Sequence, residues 1–148
     1  MTDCLACDLT AGDGAPGGCI HQTTYWYVDH TIGSLGVGTL IVRPKRHVVH
    51  VADLDADEAA ELGPVLRQTA AVVSELVQPE QVYVTLWSHA GGAPGHIHFV
   101  VQPVTRAQVD ETGLYGPRLQ VEMFNRGVAP DPQAAATFAE RARATWPN

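Results

Sequence analysis

The chain has 148 residues, with 9 Lys+Arg against 16 Asp+Glu and a formal net charge of −7. That length fits a single domain, 1–148, and a hydrophobic fraction of 45% excludes a disordered chain. The acidic balance argues against duplex nucleic acid, which needs a basic face, yet leaves room for a small phosphorylated substrate at a local basic run.

No segment is long and apolar enough to cross a membrane. The N-terminal Met1-Thr2-Asp3-Cys4 lacks the basic region and apolar core of a signal peptide, so a cytoplasmic protein with no membrane partner is expected. There Cys4, Cys7 and Cys19 are expected to be thiols or metal ligands rather than disulfides.

Cys4-Leu5-Ala6-Cys7 is a C-x-x-C pair. A redox pair normally follows a strand, and nothing before Cys4 supplies one. Half of a tetrahedral zinc site is the better reading, with two further ligands from distant sequence. Residues 10–18 are rich in Gly, Ala, Asp and Pro and read as a loop, after which Cys19-Ile20-His21 is a rival source of ligands. Thr24–Asp29 is aromatic and β-rich and predicts a strand. Gly33, Gly36 and Gly38 mark a flexible turn into a second strand, Thr39–Arg43, stopped by Pro44, so an antiparallel pair is expected. Arg43-Pro44-Lys45-Arg46 is a basic run holding the chain's only lysine, and it leads into His47.

Asp55-Ala56-Asp57-Glu58 is a capping-box pattern that opens a helix. Leu62, Leu66, Thr69 or Ala70, Val73 and Leu76 then recur at helical spacing and predict one stripe packed on a sheet. Gly63-Pro64 predicts a kink or a late start. Val82–Trp87 is a third strand, and Ser88–Gly95 a glycine loop containing His89. A fourth strand covers His96–Gln102 and is closed by Pro103. Thr105–Gly116 reads as irregular. Pro117–Arg126 predicts a helix with Pro at its first position and Gly127 just past its end. Gln133–Trp146 is an alanine-rich terminal helix anchored by Phe138 and Trp146.

Alternation along the fourth strand puts Ile97, Phe99 and Val101 on a core face, and His96, His98, Val100 and Gln102 on the other. His96 and His98 then point the same way, roughly 6–7 Å apart. Two readings of the pair stay open on the strand alone. They are solvated histidines on a half-exposed strand, or two ligands of one metal with an open position, as in a metal-dependent hydrolase.

Taken together, these parts are similar to the histidine-triad (HIT) superfamily. Gly38–His47 resembles the segment running into its P-K-R-H motif, and His96-Ile97-His98-Phe99-Val100-Val101-Gln102-Pro103 resembles its H-x-H-x-H motif. The resemblance covers about residues 4–103 and leaves 104–148 as a C-terminal extension. It implies an α+β homodimer with a five-stranded antiparallel sheet, a long helix packed on one face and a C-terminal helical extension. It also implies hydrolysis or transfer of nucleotidyl groups from a nucleotide or nucleotide conjugate. The middle histidine, His98, would attack the α-phosphorus and form a nucleotidyl-histidine. In the zinc-containing branch the ligands map onto Cys4, Cys7, His47 and His96, a closed structural site rather than an activator of water.

Neutral imidazole is a competent nucleophile near physiological pH, and the backbone N–H groups of Gly91 and Gly92 would serve as donors to phosphate oxygens. The family's third histidine falls on Val100, and the glutamine of its preceding loop on Gly92. Ser88, His89 and Gln102 are the candidates to replace those polar groups at the substrate. The same losses also admit a zinc-stabilised nucleotide-binding protein with a weak or dead site. The extension is expected to cover the leaving-group side and set substrate choice.

Overall fold

The computed structural model describes residues 3–11 and 14–148. Of the segments read above as an N-terminus without a signal and as a loop, Met1, Thr2, Gly12 and Asp13 lie outside the described residues. The centre is a five-stranded sheet in the order β1-β2-β3-β7-β4, formed by β1 (His21–Gln22), β2 (Trp26–His30), β3 (Leu40–Pro44), β4 (Gln81–Leu86) and β7 (Phe99–Val104). Every neighbouring pair is antiparallel, and Val28 stands opposite Val42 in the expected β2–β3 pair. This is the α+β fold with a five-stranded antiparallel sheet expected from the sequence.

One face of the sheet packs on α2 (Ala56–Val77). Trp26, Val28, Leu40, Val42 and Val101 meet Val65, Val72 and Val73 of this helix, joined by Phe138, Ala139 and Ala142 of α5 (Pro132–Thr145). Removing these apolar surfaces from water is the main driving force for the layer. Asp55 caps α2 as expected: its side chain accepts from the Glu58 N–H at 2.8 Å, while Glu58 Oε2 accepts from the Asp55 N–H at 2.9 Å. The expected late start is not found, and α2 runs unbroken through Pro64. Ala60, Gly63 and Pro64 all lie on the exposed side, where water can take up the carbonyl that proline leaves unbonded.

Three expectations are corrected. The fourth strand begins at Phe99 and not at His96, and it continues through Pro103 to Val104. His96-Ile97-His98 therefore precede the ladder, in a segment where the Ile97 N–H donates to the Val48 carbonyl at 2.8 Å. Thr105–Gly116 is not irregular: Arg106–Thr112 forms α3, opened by a capping box between Thr105 and Gln108 and closed by Gly113 at φ +66°. Its helical stripe is too poor in apolar residues to be read from periodicity. The third correction concerns the second sheet face, half-exposed in one of the two readings of the histidine pair. Val100 is 3% and Gln102 0% exposed, and α4 (Pro117–Arg126) bonds directly to Gln102. Gln120 Nε2 donates to Gln102 Oε1 at 2.9 Å, Gln102 Nε2 donates to Met123 Sδ at 3.1 Å, and the Gly116 N–H donates to Tyr83 Oη at 2.8 Å.

Two further pieces flank this body. α1 (Leu5–Ala11) carries Cys7, and a short hairpin of β5 (His89–Ala90) and β6 (Ala93–Pro94) leads from β4 toward His96. No helix among the described residues is long and apolar enough to cross a membrane.

Candidate functional site

Because β3 and β7 are neighbours, the chain leaving Pro44 and the chain approaching Phe99 run side by side. That places His47 and His96 at one end of the sheet, their ring centroids 5.1 Å apart. α1 brings the cysteines to the same place. Ligand atoms of Cys4, Cys7, His47 and His96 all lie within 4.8 Å of one another, so the structure assembles the four residues expected to hold a metal.

The spacing is that of a coordination shell. Cys4 Sγ and Cys7 Sγ each lie 3.6 Å from His96 Nδ1, and Cys7 Sγ lies 3.4 Å from His47 Nδ1. Two ligands of a tetrahedral ion, with metal–sulfur and metal–nitrogen bonds of about 2.3 and 2.0 Å, stand about 3.5 Å apart. His96 Nε2 meets the Pro44 carbonyl at 2.9 Å. A carbonyl only accepts, so the proton sits on Nε2 and the Nδ1 lone pair faces the sulfurs. Burial also holds the His96 imidazole below its usual pKa, helped by the neighbouring His47 and Arg43, which favours the neutral form that ligates. Burial and the adjacent Cys4 raise the Cys7 thiol, a repulsion that a bound cation would relieve. The residues present fit a closed S2N2 metal site.

Cys19 and His21, the rival source of ligands, are elsewhere engaged. Cys19 Sγ donates to the His21 carbonyl at 3.2 Å, and the His21 ring stacks on Trp146 with centroids 4.4 Å apart. His98 is not a member of the cluster either. Its Nδ1 lies 3.2 Å from the His96 carbonyl, and the same reasoning puts the proton on Nδ1. The Nε2 lone pair of this half-buried imidazole then has no hydrogen-bond partner among the described residues.

The phosphate-facing candidates fare differently. Gly91 and Gly92 form the two-residue turn of the hairpin, with φ +58° and +82°. This is the left-handed pair that such a tight hairpin turn requires. They and His89 are exposed, and no hydrogen bond or ring contact among the described residues links them to His98. The Ser88 carbonyl accepts from the Gly95 N–H at 2.7 Å and closes the hairpin base. Gln102 is sealed beneath α4 and offers no surface to a ligand, so its assignment to the substrate is corrected to a core hydrogen-bonding role.

The basic run is consumed internally. Arg43 is 4% exposed and pairs with Asp29 Oδ2 at 2.7 Å, Arg46 pairs with Glu58 at 2.8 Å, and Lys45 Nζ donates to Gln22 Oε1 at 3.0 Å. Arg43 also reaches α1, donating to the Ala6 carbonyl at 3.1 Å and to Thr10 Oγ1. Sequence reasoning missed Arg43 and Asp29 as supports of the metal centre. The available signal was a charged residue on each of two adjacent strands rich in apolar side chains.

No protein-family model matches the chain, and no curated protein matches it. Solved structures do. A zinc-bound histidine triad family protein from Mycobacterium smegmatis is 18% identical, with a TM-score of 0.67 over 96% of this chain and 94% of its own. A hypothetical histidine triad nucleotide-binding protein from Sulfolobus tokodaii is 16% identical, with a TM-score of 0.71 over 95% and 90%. A histidine triad protein from Bradyrhizobium japonicum is 16% identical, with a TM-score of 0.67 over 86% and 89%. The likeness extends well past residue 103, where the resemblance in sequence stops. With its five-stranded antiparallel sheet, single long helix and paired histidines, the chain has the fold of the histidine-triad proteins.

Proposed function

We propose that this protein binds nucleotide conjugates and hydrolyses or transfers their nucleotidyl group through His98. The observation that carries the reading is the His98 ring itself: its Nδ1 is tied to the His96 carbonyl at 3.2 Å, leaving Nε2 as an unprotonated nucleophile. Nε2 attacks the α-phosphorus, a P–N bond forms as the bond to the leaving group breaks, and the leaving group takes up a proton from solvent. Water or another acceptor then bonds to the phosphorus as the P–N bond breaks, its proton passes to solvent, and the neutral histidine is freed. Phosphate oxygens gain charge in both steps, and the N–H groups of Gly91 and Gly92, with Ser88 and His89, are the proposed donors.

Zinc is the proposed ion at Cys4, Cys7, His47 and His96. Four protein ligands leave it no open position, so its role is to brace the segment carrying His96 and thereby His98. Thiols kept as ligands suit a reducing, cytoplasmic setting. We propose a homodimer formed through β4, which lies at the sheet edge and exposes Val84 and Leu86 at 44% and 38%.

A second reading is favoured by Val100. It occupies the third position of the motif, is 3% exposed, and has no hydrogen-bonding group to offer a phosphate. Loss of one oxyanion donor costs about 10²–10³ in rate, enough to leave a nucleotide-binding protein with little turnover. One experiment separates the readings. Protein is incubated with a nucleoside phosphoramidate labelled on the nucleotide, denatured in alkali, and examined for acid-labile label. Labelled wild type with a blank His98→Ala supports the nucleophile; binding without label in either supports the second reading.

A further inference from the structure

Trp87 follows directly on Leu86, and His98 directly precedes Phe99. Leu86 and Phe99 are the last rung of the β4–β7 ladder, so Trp87 and His98 flank that rung on adjacent chains. The Trp87 ring does not face solvent alone. Phe124 of α4 lies against it, ring centroids 4.9 Å apart and planes inclined by 39°. Trp87 Nε1 donates to Thr85 Oγ1 at 3.1 Å, and the same oxygen accepts from Gln120 Nε2 at 3.3 Å. Gln120 is in turn bonded to the buried Gln102. The indole is thus pinned at its polar edge by a chain of hydrogen bonds from the core.

Packing of α4 does not require these rings to be open, since Leu119 and Gln120 already anchor the helix at 1% exposure each. Yet Trp87 and Phe124 stay 36% and 39% exposed. An indole whose N–H is already satisfied, and whose ring is oriented from beneath, has apolar surface left to offer and no polar demand to make of a ligand. That is the chemistry that recognises a flat aromatic ring.

Resting on the function proposed above, we propose that Trp87 and Phe124 form an aromatic wall beside His98 that stacks on a planar ring of the bound conjugate and so selects ring-bearing substrates. The ring has two sources, the nucleobase or an aromatic leaving group, and the geometry favours neither by name.

The test compares phosphoramidates in two matched pairs: an adenosine conjugate against its ribose-only counterpart, and an arylamine leaving group against an alkylamine. Each is measured with wild type, Trp87→Ala, Phe124→Ala and Trp87→Phe as kcat/KM, or as Kd where turnover is absent. The wall predicts that both alanine variants reduce the preference for the ring-bearing member of one pair about tenfold, while Trp87→Phe keeps most of it. The pair that responds identifies the source. Equal losses on all substrates, or unchanged ratios in both pairs with wild type still active or binding, overturn the wall and leave the proposed function standing. A shift in oligomeric state with both ratios unchanged also overturns it, and assigns the rings to a subunit contact. Wild type that neither binds nor turns over any conjugate overturns both.

Discussion

Arg43 Nη1 donates to the main-chain carbonyl of Ala6, between the two cysteines of the C-x-x-C pair, at 3.1 Å. The same guanidinium is buried against Asp29 and lies 4.9 Å from the Tyr27 ring centroid. A charge this deep in the sheet is tolerated because its donors are matched by a carboxylate, a carbonyl and a hydroxyl. The consequence is mechanical: the helix that carries Cys7, and that begins directly after Cys4, is fastened to β3.

Arg43→Lys should therefore weaken the metal centre without touching a ligand. Lysine keeps the charge beside Asp29 but lacks the planar fork that reaches both Asp29 and α1. Metal affinity is expected to fall about 10–100-fold, the usual effect of losing an outer support, as read by competition with a chelating dye. Unchanged affinity in a folded variant would show that α1 is held by other contacts.

Metal content discriminates the roles of the two neighbouring histidines. Wild type and His98→Ala should both retain one zinc per chain, whereas Cys4→Ser, Cys7→Ser and His96→Ala should lose it. Chelation should lower Tm, because the free energy of binding at a site absent from the unfolded chain is folding free energy. Loss of zinc from His98→Ala would mean that both rings hold the ion, and the nucleophile assignment would fail.

The amide pair beneath α4 makes a prediction about stability. Gln120→Leu strands Gln102 Oε1 in the core, where Gln102 is 0% exposed, and should cost about 1–3 kcal/mol. Gln102→Leu removes the partner from the other side. The double variant should be less destabilised than the sum of the two, because no polar atom of the pair is then left unmatched. Additive losses in denaturant titrations would argue that the bond contributes nothing.

His30 makes a prediction about pH. Its Nδ1 donates to the Thr31 carbonyl at 2.8 Å, its Nε2 accepts from the Gly38 N–H at 2.9 Å, and it is 1% exposed. Burial holds its pKa below the ordinary 6.5, although the Thr31 carbonyl opposes the shift. The unfolded chain therefore binds a proton more readily than the folded one. The stability owed to neutral His30 is complete above about pH 6.5 and declines as pH falls from there toward the depressed folded value. His30→Gln keeps an acceptor for Gly38 and does not titrate. With metal bound in both proteins, its Tm should fall less than that of wild type between pH 7.5 and 5.5. Parallel curves would place the titration elsewhere.

Much was legible along the chain because it is written in short-range patterns. Strand alternation, the Asp55–Glu58 cap, the stripe on α2 and the Cys4–Cys7 half-site follow from residue type and spacing, while His47 and His96 as their partners followed from the resemblance to the histidine-triad proteins. The ends of β7 were not legible. Whether His96 joins a ladder depends on what β3 and β4 offer as hydrogen-bond partners, and their registers stop at Phe99. The burial of Gln102 was hidden for a similar reason: a helix that begins fourteen residues after Pro103 bonds to it.

From its sequence alone the chain determined the strands and helix of an antiparallel core and a C-x-x-C pair suited to half a metal site, because apolar periodicity and soft donors act locally. The other two candidate ligands came from the resemblance to the histidine-triad proteins. Tertiary packing decided which nitrogen of each imidazole keeps its lone pair, where Arg43 spends its charge, and that Trp87 meets Phe124. Those outcomes depend on carbonyls, carboxylates and rings delivered from remote segments, and a linear pattern does not encode what will stand opposite.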